Sequence, residues 1–205
     1  MEMNQNFSSD QFYKQVFVEF VEVLIHQIIF FRKIYPDSIY VTRKRFNIPL
    51  KMSEHPWVNN YIQTVLETLS KHLSSESVDF DSVDVVIAKS SQIVEKFKLE
   101  FAKLTFAEGS DAHDFRHRLE LRLASLLLRL GAVAASLQPD TSGDLEWWVE
   151  LGSTVQGASI LTEEKVWCLA QTEDCEDNRS IVPVMGFSAP FKLQLYVETQ
   201  TGDKR

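Results

Sequence analysis

The chain has 205 residues, 44% of them hydrophobic and 11% aromatic, with only 7 Gly and 6 Pro; this excludes a disordered or fibrous protein and leaves enough length to bury a core without staples. Its 29 acidic against 21 basic residues give a formal charge of −8, which argues against nucleic-acid docking as the main activity, because phosphate recognition draws on clustered Lys and Arg. The two cysteines, Cys168 and Cys175, are too few for a secreted scaffold, and the opening MEMNQNFSSDQF has no signal-peptide pattern, so a reducing intracellular setting is expected.

The first predicted helix runs from about Ser9 or Asp10, both good N-caps, to Tyr35, where the following Pro36 disfavours helical geometry. Its centre, FVEFVEVLIHQIIFF at 17–31, is apolar nearly all round, but Glu19, Glu22, His26 and Gln27 interrupt it. It therefore reads as a core helix and not a membrane span. SIYVTRKRFNIPL follows, β-branched and aromatic around Arg43, Lys44 and Arg45. That basic cluster could serve nuclear import or phosphate binding, although such residues more often keep a strand edge soluble. A second helix opens at Ser53 and runs through EHPWVNNYIQTVLETLSKHL, with Pro56 in its first turns. The acid-rich SVDFDSVD at 77–84 reads as a solvated loop.

Residues 83–106 read as a hairpin, VDVVIAK and IVEKFKLEFAKLTF joined by a short turn. A third helix starts near Ser110 and Asp111 and ends before Pro139, with PDTSGD as the turn. The strand LEWWVEL leads into a long, weakly patterned segment from about Gly152 to Ala189, in which only KVWCLAQ looks strand-like. The chain closes on a confident strand in which Phe191, Leu193, Leu195 and Val197 alternate with Lys192, Gln194, Tyr196 and Glu198: an apolar face to bury and a polar-aromatic face to present. The result is an α+β domain, three helices on a small antiparallel sheet. Its long C-terminal excursion is of a length that usually signals function or disorder.

Few constellations carry chemistry. His113 and His117 are four apart and could share a metal with Asp114 or Glu120, which would make a small metal-dependent enzyme the rival reading. However, no third ligand cluster and no metalloprotease glutamate accompany them. Cys168 and Cys175 fit no zinc or redox spacing and read as a buried Cys168 and an exposed Cys175. No P-loop, dinucleotide fingerprint or nucleophile elbow occurs, so no catalytic residue, metal or cofactor is assigned. The aromatic side chains Trp147, Trp148 and Trp167, with Tyr61 on the second helix, suit either core filling or the docking of proline-containing peptides.

Three stretches, EFVEVLIHQIIFFRKIYP, RKRFNIPLKMSEHPWVNNYIQ and the terminal IVPV with FKLQLYVE, resemble the HORMA-domain family. Within it they look most like the accessory, non-catalytic subunits of translesion DNA polymerase zeta. The resemblance implies a single domain over 1–205, with a core at about 10–150, a seatbelt at about 152–198 and short flexible tails. The belt would wrap a peptide and buckle its last strand onto the sheet. The resemblance puts Tyr61, Trp167 and Trp147 on a proline-containing peptide of the catalytic subunit, and Ile181, Gln194 and Tyr196 on the C-terminal domain of the scaffold Y-family polymerase. It implies a bridging adaptor in translesion synthesis and DNA repair, nuclear with some cytoplasmic presence. A AAA+ HORMA-remodelling ATPase is a further candidate partner; direct nucleic-acid and membrane contacts are not implied. A cell-cycle checkpoint or meiotic HORMA adaptor with other ligands is the alternative. Family dimerisation through opposed charges stays open, since the aligned positions are Lys33 and Ala124, with Arg122 nearby.

Overall fold

The computed structural model describes residues 9–75, 78–102, 112–137, 145–170, 179–188 and 192–200. Helix α1 (Ser9–Phe31) stops short of Tyr35, and its last turn shows why. Lys33 adopts a left-handed backbone with φ 50°. Its N–H donates to the Phe30 carbonyl, and the Ile34 N–H reaches back to the Ile29 carbonyl. This bond pair closes a helix in the way glycine usually does, leaving Pro36 to lead a 3-10 turn at Asp37–Ile39. As expected of a core helix, α1 is covered on nearly all sides, and Phe17, Phe20, Val21, Ile25 and Ile28 are wholly buried. Its two buried polar residues, His26 and Gln27, both have partners. His26 Nδ1 accepts the Ser53 N–H at 3.2 Å and Gln27 Nε2 donates to the Lys51 carbonyl at 2.6 Å. Among the described residues no helix is long and apolar enough to cross a membrane.

Both of those bonds end on strand β2 (Ile48–Ser53), which pairs antiparallel with β1 (Tyr40–Arg45) in a sheet of its own. The two-residue turn Phe46–Asn47 has both φ values positive, at 46° and 63°, a geometry that matches the twist of a tight hairpin. The basic cluster between these elements is partly neutralised: Arg43 meets Glu54 at 3.0 Å and Arg45 meets Glu19 at 3.4 Å. Helix α2 (Pro56–Ser75) begins later than Ser53, which is the last residue of β2; the Ser53 hydroxyl accepts the His55 N–H at 3.0 Å just ahead of the helix.

The main sheet holds β3 (Phe80–Lys89), β4 (Gln92–Phe101), β5 (Leu145–Ser153), β6 (Arg179–Phe187) and β7 (Leu193–Gln200) in the order β5-β3-β4-β7-β6, antiparallel throughout. One row of its inner face, Val149–Val85–Phe97–Val197–Val182, crosses all five strands and packs toward α1. Helix α3 (Ala112–Ser136) lies against α1 and β6. Its expected start at Ser110 and Asp111 falls outside the described residues, as does Phe191 of the closing strand.

Three expectations are corrected. Residues 80–84 are not a loop: they open β3, with Phe80, Ser82, Val83 and Asp84 buried and only Asp81 exposed, because β4 and β5 pair on either side of this stretch. The described part of KVWCLAQ, residues 165–170, is not a strand. Residues 164–170 make no ladder, and a fourth helix, α4 (Val155–Glu163), precedes them. Thr154 caps α4 by accepting the Gly157 N–H at 3.3 Å. Gly157 is required there, since a Cβ would meet Val78 Cγ1 at 2.7 Å and hold the helix off the core. Finally, residues 179–187, part of the segment read as weakly patterned, form β6. It is an edge strand whose Pro183 sits where the ladder shifts register, between Pro183 and Met185, a place where proline is tolerated.

Candidate functional site

Strand β5 forms one edge of the main sheet, and α2, α4 and residues 166–170 enclose a groove of about 460 Å³ beside it. Tyr61, Thr64 and Val65 of α2 line one wall, with helical spacing that puts Thr68 on the same side. Val149 and Leu151 supply the strand wall, Leu161 the α4 wall, and Val166, Trp167 and Leu169 the cover. The Tyr61 hydroxyl accepts the Val149 N–H at 2.9 Å, capping a donor on the free edge. Burial raises the pKa of this phenol, and that N–H opposes the shift, so it stays a neutral hydroxyl in the ordinary pH range.

The covering segment is tied down at two points. Trp167 Nε1 donates to Thr68 Oγ1 at 3.1 Å, and that hydroxyl donates onward to the Thr64 carbonyl. Three residues before the tryptophan, Glu164 Oε1 lies 2.5 Å from Lys71 Nζ and 3.0 Å from His72 Nε2. The hydrogen bond from Lys71 is the main reason the Glu164 carboxyl sits below the usual range. All these contacts lie on α2, so the segment crosses that helix and faces the β5 wall across the groove.

Of the residues singled out in sequence, Tyr61 and Trp167 therefore line one groove. Trp147 joins them through an edge-to-face contact with Tyr61, ring centroids 5.2 Å apart, and its indole N–H donates to the Tyr35 hydroxyl at 3.0 Å. Trp148 also lines the groove, from the outer side of the strand, and its N–H donates to Glu150, another lining residue. Thr68 and Tyr35, which position the two tryptophans, were not singled out. The spacing of Thr68 from Tyr61 and Thr64 was the available signal.

Ile181, Gln194 and Tyr196 lie near the opposite edge of the sheet. Tyr196 belongs to an outer-face row, Pro183–Tyr196–Lys98–Asp84–Glu150. It faces outward as expected, but its ring is only 9% exposed between Pro183 and Lys98, whereas Ile181 is 66% exposed. The Tyr196 hydroxyl donates to Glu100 at 2.7 Å. Burial first and this carboxylate second raise its pKa. Tyr196 is thus the floor of that surface, and Ile181 and Gln194 are its exposed part.

The remaining sequence signals lie elsewhere. His117 is exposed on α3, while the side chain of His113 lies outside the described residues; no group of three or more metal-ligating side chains occurs among the described residues. Cys168, expected to be buried, is exposed, because the cover over the groove is not a strand with an inner face. Cys175 lies outside the described residues. Ala124 is buried within the subunit, 6% exposed. Arg122 sits 5.7 Å above the Phe187 ring.

No protein-family profile matches the chain. It is 30% identical over 203 residues to the human mitotic spindle assembly checkpoint protein MAD2B, covering 95% of this chain and 94% of that protein. It is 28% identical over 184 residues to the DNA polymerase zeta processivity subunit of Arabidopsis thaliana, covering 88% and 83%. Among solved structures, a chain of the mitotic checkpoint complex superposes with a TM-score of 0.75 at 16% identity, covering 93% of this chain and 99% of that one. C. elegans HTP-2 bound to the HIM-3 closure motif superposes at 0.64 with 9% identity, covering 94% and 92%. Likeness at such low identity shows the fold, an α+β HORMA domain.

Proposed function

This chain belongs to the HORMA-domain family of MAD2B and the DNA polymerase zeta accessory subunits, and from that membership we propose that it is a non-catalytic adaptor of translesion synthesis. It clamps a proline-containing peptide of the polymerase's catalytic subunit in the groove beside β5 and offers the outer face near β6 and β7 to the C-terminal domain of a scaffold Y-family polymerase. In this reading 1–205 is one domain, 152–198 is its seatbelt, a AAA+ ATPase reopens the belt, and the work is done in the nucleus. The observation that carries the proposal is the groove itself: Tyr61 and Trp167 face it together, one from the helix and one from the covering segment. The test is affinity capture of the full chain with mass spectrometry, expecting the catalytic subunit to copurify. The name of the human relative favours a checkpoint assembly as the second reading, and recovery of checkpoint proteins alone would decide for it.

Trp167→Ala is expected to weaken peptide capture by about 30-fold, since loss of a buried aromatic anchor typically costs 2 kcal/mol or more. The domain should stay folded, because Trp167 is half-buried outside the central core. Calorimetry with the captured peptide checks this, and unchanged affinity in a folded variant would rule out the groove. On the other face, Ile181→Ala combined with Gln194→Ala should reduce binding of the scaffold domain by at least tenfold, roughly one rim-to-core contact set, while the clamped peptide is retained. Tyr196→Phe should have a smaller effect, because that hydroxyl is already occupied by Glu100. Loss of both partners together from the double variant would contradict a two-sided adaptor.

A further inference from the structure

Helix α4 ends in a sharp bend just before the segment that covers the groove. The Glu164 N–H closes its last turn onto the Leu161 and Thr162 carbonyls. Lys165 then adopts a left-handed backbone with φ 59°, a conformation that residues other than glycine seldom take, and 166–170 leave this bend to cross α2. We infer that Lys71, His72 and Glu164 form a latch that holds the cover shut and so sets how long a clamped peptide is retained; the inference rests on the proposed belt reading.

The first argument is how little the cover gains from burial. Residues 166–170 join no ladder, and Val166 and Leu169 are 58% and 71% exposed, so their apolar area stays largely in water. A segment of this kind opens readily unless specific contacts hold it. The second argument is placement. Glu164 Oε1 meets donors from two consecutive residues of α2, Lys71 Nζ and His72 Nε2. A carboxylate only accepts, so Nε2 carries a proton there. The donors differ in setting. The Lys71 side chain is 64% exposed and its attraction is open to screening by salt. His72 is buried, and its ring stands edge-to-face with Phe80 at the start of β3, centroids 6.2 Å apart, so it offers the carboxylate a fixed point in the core. Lys71 and His72 also lie three and four positions beyond Thr68, which puts them on the same side of the helix. The cover is thus tied twice along one face of α2, at Trp167 and at Glu164. Two ties fix its direction as well as its position, whereas Trp167 alone would leave a pivot.

The test compares the full wild-type chain with Glu164→Ala, with Lys71→Ala, and with the charge swap that combines Lys71→Glu and Glu164→Lys. In the peptide-free chain the readout is solvent exchange of the Trp167 indole N–H, which the Thr68 hydroxyl protects, followed by NMR and assigned by its loss in Trp167→Phe. Glu164→Ala should speed this exchange about tenfold, close to 1.4 kcal/mol, and Lys71→Ala about threefold, as an exposed pair allows. The swap should return most of the way to wild type. Dissociation of a peptide chosen from synthetic peptides that tile the catalytic subunit of DNA polymerase zeta should follow the same order, and raised salt should hasten release from wild type more than from Lys71→Ala. Thermal unfolding should not move, because both side chains lie outside the core. Unchanged indole exchange in a folded Glu164→Ala chain, or a swap no better than the single variants, overturns the latch while leaving the belt reading intact. Faster exchange with unaltered peptide release overturns its role in retention. If no tiled peptide binds, the belt reading falls and the retention role with it, and the exchange result alone decides whether the latch holds the cover.

Discussion

Arg32→Ala should lower the stability of the folded chain by about 3–5 kcal/mol, the usual cost of stranding one partner of a buried ion pair. Arg32 follows the last residue of α1, where its side chain is 2% exposed. Its Nε lies 2.6 Å from Glu95 Oε2, its Nη1 donates to the Ala134 and Leu137 carbonyls at the end of α3, both at 3.1 Å, and its guanidinium stands 5.4 Å from the Phe97 ring centroid. One side chain thus fastens the ends of two helices to β4, the strand on which β7 pairs. Burial pulls the Arg32 pKa down and pushes the Glu95 carboxyl up, and each is opposed chiefly by the other's charge. The pair is therefore costly to desolvate and costlier to break. Thermal unfolding should show Arg32→Ala and Glu95→Ala each losing about 10 °C or more, as expected for a domain of this size. The double change Arg32→Met with Glu95→Leu should recover most of the loss, because no charge is left behind. Single variants within 1 kcal/mol of wild type would show that the contact carries little.

These contacts also show where sequence reading reaches and where it stops. The core helix was visible because hydrophobicity persists on all sides of 17–31, and β7 was visible because alternation is strict. The hairpin of β1 and β2 was not, because its turn uses Phe46 and Asn47 in left-handed conformations without the glycine that ordinarily announces them. The buried start of β3 was hidden by Asp79, Asp81 and Asp84, since an acid count carries no information on which side of a strand each acid faces. α4 is short, and its signal is a single cap at Thr154. For the groove, Tyr61 and Trp167 stand out as aromatic residues that suit either a core or a proline-containing peptide, and only the family resemblance chooses the peptide; their convergence depends on 164–170 crossing α2, a tertiary fact with no periodicity of its own. Arg32 was unreadable for the same reason: its partners lie 63 to 105 positions away.

The acid-base response of the fold should turn on two buried groups with opposite signs. Asp84, 6% exposed in the centre of β3, has its pKa pushed up to about 6 by burial; Lys98, Lys96 and the Ser82 hydroxyl only partly offset this, and Glu150 adds to it. One of its carboxyl oxygens, Oδ1, is buried with no hydrogen-bond partner. His26, 3% exposed on α1, is pushed down to about 4 by burial, and its neutral ring accepts the Ser53 N–H. In the folded state Asp84 holds its proton to higher pH than in the unfolded chain, so the stability it contributes is complete below about pH 4 and is lost as pH rises through about 6. His26 behaves in the opposite way: its contribution is complete above about pH 6.5 and is lost as pH falls through about 4. Each shift of roughly two units corresponds to about 3 kcal/mol, so over this window the two nearly cancel. Asp84→Asn removes one of them. Denaturant unfolding should find this variant equal to wild type near pH 4 and about 3 kcal/mol more stable at pH 7, with a steep acid loss that the wild type does not show. His26→Asn, which keeps an acceptor for Ser53, should show the mirror image, with its deficit shrinking as the solution is acidified. Parallel pH profiles for wild type and Asp84→Asn would mean that the carboxyl titrates as it does in the unfolded chain, and the burial argument for that strand would fail.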